Sequence, residues 1–194
     1  FGRFSSSDLD HFETKKPKKE LLSLPKSILT ASNLAIGYAK ADSLLSNLNV
    51  NLHEGELTCL LGANGTGKST LLRSLCGLLK PLSGAIKIDG HELATLSAKQ
   101  KAKMLSLVFT QNIAPGSLTV YAMVALGRFP YSSWMGTLSD ADKAVIDWAL
   151  EVTETAAFVN KHTEELSDGE RQKVVIARAL AQDTPVIFLD EPTA

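Results

Sequence analysis

Residues 62–70 read Gly-Ala-Asn-Gly-Thr-Gly-Lys-Ser-Thr, which fits the phosphate-loop pattern G-x-x-x-x-G-K-[ST]. An apolar run from Leu57 to Leu61 precedes this loop and predicts a buried strand. The run from Leu71 to Leu75 follows it with helical spacing. Because strand, glycine-rich loop and helix occur in the order in which this pattern indicates nucleotide binding, the sequence predicts a nucleoside triphosphate site.

The loop can contact a ligand through main-chain amides, one ammonium group and hydroxyl groups. Its glycines let successive N–H groups turn inward around a polyphosphate, and the positive end of the following helix faces the same phosphates. We expect Lys68 at the β- and γ-phosphates, Ser69 on Mg²⁺ and Thr70 on the phosphate side. The candidate nucleotide-binding residues of the loop are Gly62, Asn64, Gly65, Gly67, Lys68, Ser69 and Thr70.

Length and composition describe an ordinary globular chain. Its 194 residues are 44% hydrophobic and carry a formal charge of −1, which suits one large domain or a core with a subdomain. The chain has no basic excess of the kind that marks nucleic acid as the main partner. Because no apolar run approaches the roughly 20 residues that cross a bilayer, a membrane role requires a partner.

The cysteines and the chain ends carry two further expectations. Cys59 and Cys76 fall within the predicted strand and helix, so we expect two buried thiols and no disulfide or metal site. The chain begins at Phe1 and stops at Ala194 within a motif, so it reads as a truncated form of a longer protein.

Hydrophobic periodicity divides the chain into a leader and one domain. Residues 1–24 are polar and charged and read as a flexible leader, and residues 25–194 read as the domain. Short apolar segments between Ile28 and Leu52 predict a small antiparallel sheet. The core continues with a helix from Lys68 that stops near Leu79, a strand from Ala85 to Ile88 closed by Asp89-Gly90, a short helix capped by Ser97 and Gln100, and a buried strand from Leu105 to Phe109.

Between about residues 115 and 168 the pattern becomes helical, which predicts a helical subdomain inserted into an α/β core. Its predicted helices run from Thr119 to Leu126 and from Ser139 to Val152, the second opened by Ser139 and Asp142. The core then resumes with a helix from about Gly169 to Ala181 and a strand from Val186 to Leu189.

That last strand delivers two acidic residues at its carboxyl end. Asp190 suits a contact on the Mg²⁺ side of a phosphate-loop site, directly or through water. Glu191 is placed to polarise an attacking water as a general base. Both residues also fit a plain loop cap after a buried strand, and the phosphate loop favours the catalytic interpretation.

Residues 166–170 read Leu-Ser-Asp-Gly-Glu and open a helix between the insert and the acidic strand. Here the sequence resembles the nucleotide-binding subunits of ABC transporters, whose signature is L-S-G-G-[QE]. The resemblance covers Leu29 to Ala194 with the motifs in family order. It implies a P-loop NTPase (RecA-like) core with an antiparallel β-subdomain and the inserted helical subdomain, incomplete at the C-terminus. For a chain truncated in this way, the resemblance implies that nucleotide is hydrolysed poorly or not at all. Asp168 departs from the family pattern by placing a carboxylate where glycine is usual.

The resemblance also implies roles at matching positions. Tyr38 resembles the aromatic residue that stacks on adenine, and Gln111 resembles the glutamine that senses Mg²⁺ and couples to the helical subdomain. The implied metal-side residues are Ser69, Gln111 and Asp190, and the implied catalytic residues are Lys68, Gln111 and Glu191. Ser167 and Gly169 match residues that contact the γ-phosphate held by the opposite subunit, which implies a homodimer with two ATP molecules between its subunits.

Residues 124–131, Val-Ala-Leu-Gly-Arg-Phe-Pro-Tyr, resemble importers of iron chelates, haem and cobalamin. The resemblance implies an ATPase on the inner face of the cytoplasmic membrane, bound to permease subunits and served indirectly by a substrate-binding protein. The alternative is a non-transport ABC ATPase that acts on nucleic acid or ribosomes. A P-loop kinase or GTPase is disfavoured, because residues 166–170 fit neither and an Asn-Lys-x-Asp guanine motif is absent.

Overall fold

The computed structural model describes residues 25–38, 43–109, 117–132 and 136–190. The predicted leader at residues 1–24 lies outside these ranges, as do Gln111 and Glu191. Within them the chain forms six β-strands and five α-helices. The strands are β1 (Ser27–Ile36), β2 (Leu45–His53), β3 (Ser83–Ile88), β4 (His91–Glu92), β5 (Leu105–Phe109) and β6 (Val186–Asp190). The helices are α1 (Lys68–Leu75), α2 (Ala98–Ala102), α3 (Val120–Ala125), α4 (Asp140–Val152) and α5 (Asp168–Ala181).

The first four strands form the predicted antiparallel sheet. Their order is β2-β1-β3-β4, and Leu29 of the central strand β1 lies opposite Leu52 on one side and Ile88 on the other. β3 turns into β4 through Asp89 and Gly90, whose φ angles of 44° and 79° suit a two-residue hairpin. The prediction of this sheet and of its closing turn is confirmed.

β5 and β6 pair in parallel, and both strands were predicted. The prediction that β5 is buried is confirmed, whereas β6 alternates, with Ile187 and Leu189 exposed. Phe109 lies opposite Asp190, so the two strands end together at one edge. α5 packs on β5, with Val175 and Ala179 against Val108. The carboxyl edge of parallel strands is where ligand-binding side chains collect in α/β sheets, and Asp190 lies at that edge.

The predicted buried strand before the phosphate loop is wrong. Residues 56–63 carry no strand, and Leu57 and Leu61 are 90% and 89% exposed. An apolar run becomes a strand only where a neighbour pairs with its backbone and a layer covers its side chains. In the part of the chain that the structure describes, neither sheet supplies a neighbour for this run. Cys59 is therefore exposed, contrary to expectation, whereas Cys76 is buried as expected.

α1 ends at Leu75, four residues before the predicted stop near Leu79. Gly77 has a φ angle of 70°, and its N–H donates to the carbonyl of Ser74 while the N–H of Leu78 donates to that of Arg73. This is a Schellman termination, in which a left-handed glycine closes the helix. The glycine stops the helix before Pro81 can do so.

Two apolar clusters form the core. The larger lies between the antiparallel sheet, α1 and the β5–β6 pair, and includes Leu29, Leu75 and Phe188. The second joins α3, α4 and α5 through Val120, Ile146 and their neighbours. The helices predicted for the insert are confirmed, as is the Ser139–Asp142 capping box of α4. The outline of a helical subdomain at about 115–168 stays a prediction. None of the helices described is long and apolar enough to cross a bilayer.

Candidate functional site

The phosphate loop is an exposed turn that leads directly into α1. Gly65 and Gly67 have φ angles of 79° and 92°, a region that side chains rarely tolerate, and Gly67 is the N-cap of α1. α1 opens at Lys68 and Ser69 with no acidic residue in its first turn. The free N–H groups of that turn therefore lie beside the loop, and no acidic side chain of the turn itself competes for them.

The ammonium group of Lys68 is folded over its own loop. Its Nζ donates to the carbonyls of Gly62 and Ala63, both at 2.9 Å. A third hydrogen bond within the loop runs from Oγ1 of Thr66 to the same Ala63 carbonyl at 2.9 Å. These hydrogen bonds close the loop on itself and place the Lys68 ammonium at its opening. A bound polyphosphate would replace the two carbonyls with charged oxygens as the acceptors for Lys68.

The decisive contact lies between the loop and the acidic strand. Ser69 donates from Oγ to Oδ1 of Asp190 at 2.9 Å, across 121 residues of sequence. Asp190 reaches this position because β6 is held in register by β5. A hydroxyl and a carboxylate are the hard oxygen donors that Mg²⁺ prefers, so the residues present fit that ion. In the described ranges no group of three or more His, Cys, Asp or Glu residues forms a rival metal site.

Tyr38 lies beside the first turn of α1. Its hydroxyl is 3.5 Å from Oγ1 of Thr70, and its side chain is half exposed. Thr70 itself is buried, and its carbonyl accepts from the hydroxyl of Ser74. The Tyr38 ring is therefore next to the phosphate loop and open to a flat ligand on its exposed part.

Ser167 caps the N-terminus of α5 in a capping box. Its amide and hydroxyl donate to Oε2 of Glu170 at 2.8 and 2.7 Å, and these bonds hold the pKa of Glu170 below its ordinary value. Asp168 pairs with Arg171 at 2.5 Å along the exposed first turn. Nothing would lie within 4 Å of a Cβ added to Gly169, so this end of α5 is open.

The structure brings some of the predicted site residues together and not others. Lys68, Ser69 and Asp190 meet, with Tyr38 beside them. In the described residues no hydrogen bond joins Ser167 or Gly169 to this group. Gln111 and Glu191 fall outside those residues, although each follows the end of one strand of the β5–β6 pair in sequence.

Sequence reasoning assigned no role to two arginines with specific contacts, Arg73 and Arg128. The guanidinium of Arg73, on α1, lies 5.2 Å from the ring centroid of Phe109, the last residue of β5. Arg128 is buried against Asp142, which the sequence marked only as a helix cap. In the sequence, Arg128 is visible only as a cation among apolar residues, and this pattern does not identify its partner.

A family model described as ABC transporter matches residues 45–194. The chain belongs to the ABC transporter family. It is 41% identical over 165 residues to the achromobactin transport ATP-binding protein of Dickeya dadantii, and 40% identical over 165 residues to the iron(3+)-hydroxamate import ATP-binding protein of Bacillus subtilis. Each match covers 85% of this chain and 61% of the relative. The chain therefore spans about three fifths of the length of those relatives.

Solved ABC structures share its fold. A metal-chelate type ABC transporter in an inward-facing conformation superposes with a TM-score of 0.72 at 29% identity, covering 86% of this chain and 60% of that one. An ATP-binding cassette solved as a dimer in a post-hydrolysis state with ADP and Pi gives 0.73 at 32% identity, covering 86% and 75%. The ABC-family chain therefore has the P-loop NTPase fold of these cassettes.

Proposed function

We propose that the full-length protein binds Mg·ATP in the loop at residues 62–70 and hydrolyses it as the motor of an importer. The contact of Ser69 with Asp190 carries this proposal, because it unites two oxygen donors from distant sequence beside the Lys68 ammonium. If Asp190 and Glu191 merely capped the loop after a buried strand, a hydrogen bond between Asp190 and the phosphate loop would not be needed. The ADP and Pi in the related cassette support the same ligand class.

Each residue has a definite task in this proposal. The amides of the loop and the first turn of α1 surround the phosphates, and Lys68 leaves its two carbonyls to meet the β- and γ-phosphate oxygens. Ser69 and Asp190 would hold Mg²⁺, whose positive charge would offset the negative charge of the phosphates. The exposed ring of Tyr38 stacks on adenine, and Thr70 adds a hydroxyl beside the phosphates.

Two further residues complete the chemistry. Glu191 directly follows Asp190 in sequence and acts as general base toward the attacking water. Gln111 stands two positions after Phe109, the register partner of Asp190, and contacts the metal side. Ser167 and Gly169 serve a second copy of the chain: the open N-terminus of α5 binds the γ-phosphate held by the partner subunit. The dimeric cassette structure supports a homodimer.

We further propose that the motor drives import of an iron chelate or a related metal complex across the cytoplasmic membrane. The relatives are named for achromobactin transport and for iron(3+)-hydroxamate import, and another, from Halobacterium salinarum, for cobalamin import. These names favour transport over action on nucleic acid or ribosomes. The protein then works at the inner face of the membrane with permease subunits, and indirectly with a substrate-binding protein.

An exposed apolar groove of about 330 Å³ suits the permease contact. Its residues, which we call the insert groove, are Tyr121, Ala122, Ala125, Leu126, Phe129, Ser132, Gly136 and Leu138. Phe129 is 75% exposed at its rim. An apolar helix of a membrane subunit would bury this surface.

The test of ATP binding is titration of the full-length protein with Mg·ATP. Lys68→Ala should weaken binding by about 10- to 100-fold, because a charged hydrogen-bond donor is worth roughly 1.5–3 kcal/mol. Lys143→Ala is the matched control, since Lys143 pairs only with exposed Asp140 on α4 and should bind as wild type does. Unchanged affinity in Lys68→Ala would remove the loop from its proposed role.

A further inference from the structure

Arg128 is a buried cation with several partners. Its side chain is only 8% exposed. Nε donates to Oδ1 of Asp142 at 2.9 Å, and a terminal nitrogen donates to the carbonyl of Ala181 at 2.9 Å. The guanidinium also lies 4.0 Å from the ring centroid of Tyr131. One side chain thus joins the first turn of α4 to the last residue of α5.

Neighbours of Arg128 hold the same end of α5. The hydroxyl of Tyr131 donates to the carbonyl of Asp183 at 3.1 Å, in the connection from α5 to β6. The backbone at Gly127 approaches α5 so closely that an added Cβ would lie 2.4 Å from the carbonyl of Arg178. Residues 127–131 therefore rest directly on the C-terminal turn of α5 and on the connection that leads to Asp190.

The other side of the same short segment borders the insert groove. Leu126 and Phe129 flank Arg128 in sequence, and both line the groove. Leu138 closes it from the other side and is followed at once by Ser139, whose hydroxyl and amide donate to Asp142. A molecule seated in the groove therefore contacts residues that are adjacent in sequence to Arg128 and to the Ser139 cap of Asp142.

We propose that Arg128 is a positioning residue that couples occupancy of the insert groove to the placement of α5 and β6. α5 has 14 residues and is a rigid rod of roughly 21 Å. Ser167 caps one end and Arg128 holds the other, while the connection after Ala181 leads to Asp190. A displacement of Arg128 therefore moves α5 and the connection to β6, and with them both proposed nucleotide contacts, Ser167 and Asp190. This inference rests on the proposed function, since it concerns that same ATPase and its membrane partner.

A buried ion pair can also be merely structural, so the test must separate the two roles. Arg128→Lys keeps the charge but not the planar fork that reaches two acceptors. Tyr131→Phe removes a single hydroxyl from the Asp183 carbonyl. A structural role would change the melting temperature and lower all rates together. A coupling role changes the ratio of ATP turnover with the membrane partner to turnover without it.

The experiment uses the full-length protein alone and in the complex purified with its membrane subunits, reconstituted in lipid vesicles. We expect Arg128→Lys to keep its turnover alone within about twofold of wild type and to lose at least about fivefold of the stimulation by the membrane subunits, a change within the usual range of coupling. Tyr131→Phe should lose part of the stimulation. Lys26→Gln, which breaks exposed pairs with Glu54 and Asp89 and involves no residue of the insert groove, is the control and should retain it fully.

The outcomes are distinct. A wild-type ratio in both Arg128→Lys and Tyr131→Phe would overturn the inference, as would a parallel fall of both rates with the ratio preserved. If Arg128→Lys does not fold, the ratio measured for Tyr131→Phe decides. If wild-type turnover does not respond to membrane subunits at all, the proposed transport function fails first.

Discussion

Asp142 combines three hydrogen bonds around one carboxylate. Donation by the Ser139 hydroxyl and amide, and then by Arg128, lowers the pKa of Asp142 from 3.8 to about 2. Because the folded-state pKa lies below the unfolded one, the charged form stabilises the fold above about pH 4, and that stability is lost as the pH falls toward 2.

The corresponding prediction concerns Asp142→Asn. This variant should have a lower free energy of unfolding at pH 7, because Arg128 is left buried beside a neutral group; breaking such pairs costs about 3–5 kcal/mol. It should also show a flatter dependence of unfolding free energy on pH between about 4 and 2. Urea unfolding at several pH values checks both points. An identical slope in wild type and variant would exclude the proposed ionisation.

At the scale of elements, the end of α1 depends on a single glycine. Gly77→Ala should lower the free energy of unfolding by about 1–2 kcal/mol, because an alanine must adopt left-handed backbone angles there. An added Cβ would also lie 3.2 Å from a methyl carbon of Leu93. Thermal unfolding measures the loss. Gly169→Ala is the control, since its Cβ would meet nothing within 4 Å and should not lower stability; equal effects at both positions would contradict the argument.

The elements that sequence predicted correctly are those specified locally. The capping boxes at Ser97 and Ser139 are closed by residues three positions away, so their chemistry is visible in a short window. The capping box of Ser167 with Glu170 has the same spacing but was not predicted. The phosphate loop is equally local. The run at residues 57–61 was misjudged because a strand needs a distant neighbour, and apolar character alone does not supply one. Arg128 was missed for a similar reason, since its Ala181 acceptor lies 53 residues away.

At the scale of the whole molecule, the two cysteines lie in different environments: Cys76 is buried and Cys59 is exposed. Burial raises the pKa of the Cys76 thiol to about 12, so its thiolate is scarce at neutral pH. Cys59 lies in the exposed run before the phosphate loop. Iodoacetamide should therefore label one thiol in the native 194-residue chain and two in denaturant.

The Cys59→Ser variant provides the control for that labelling. It should show no reaction in the native state, whereas Cys76→Ser should react as wild type does. Mass spectrometry of peptides gives the site directly. Protection of Cys59 in the native chain would mean that residues 57–61 are covered, contrary to their exposure in the structure.

The pairing of Ser69 with Asp190 has a consequence for synthesis on the ribosome. The phosphate loop emerges first, yet the Asp190 carboxylate is translated 121 residues later. Until then the nascent chain has the loop amides, Lys68 and Ser69 but lacks the carboxylate that accepts from Ser69. Under the proposed function, capture of nucleotide together with its metal would therefore be complete only after β6 has been made and has docked beside β5.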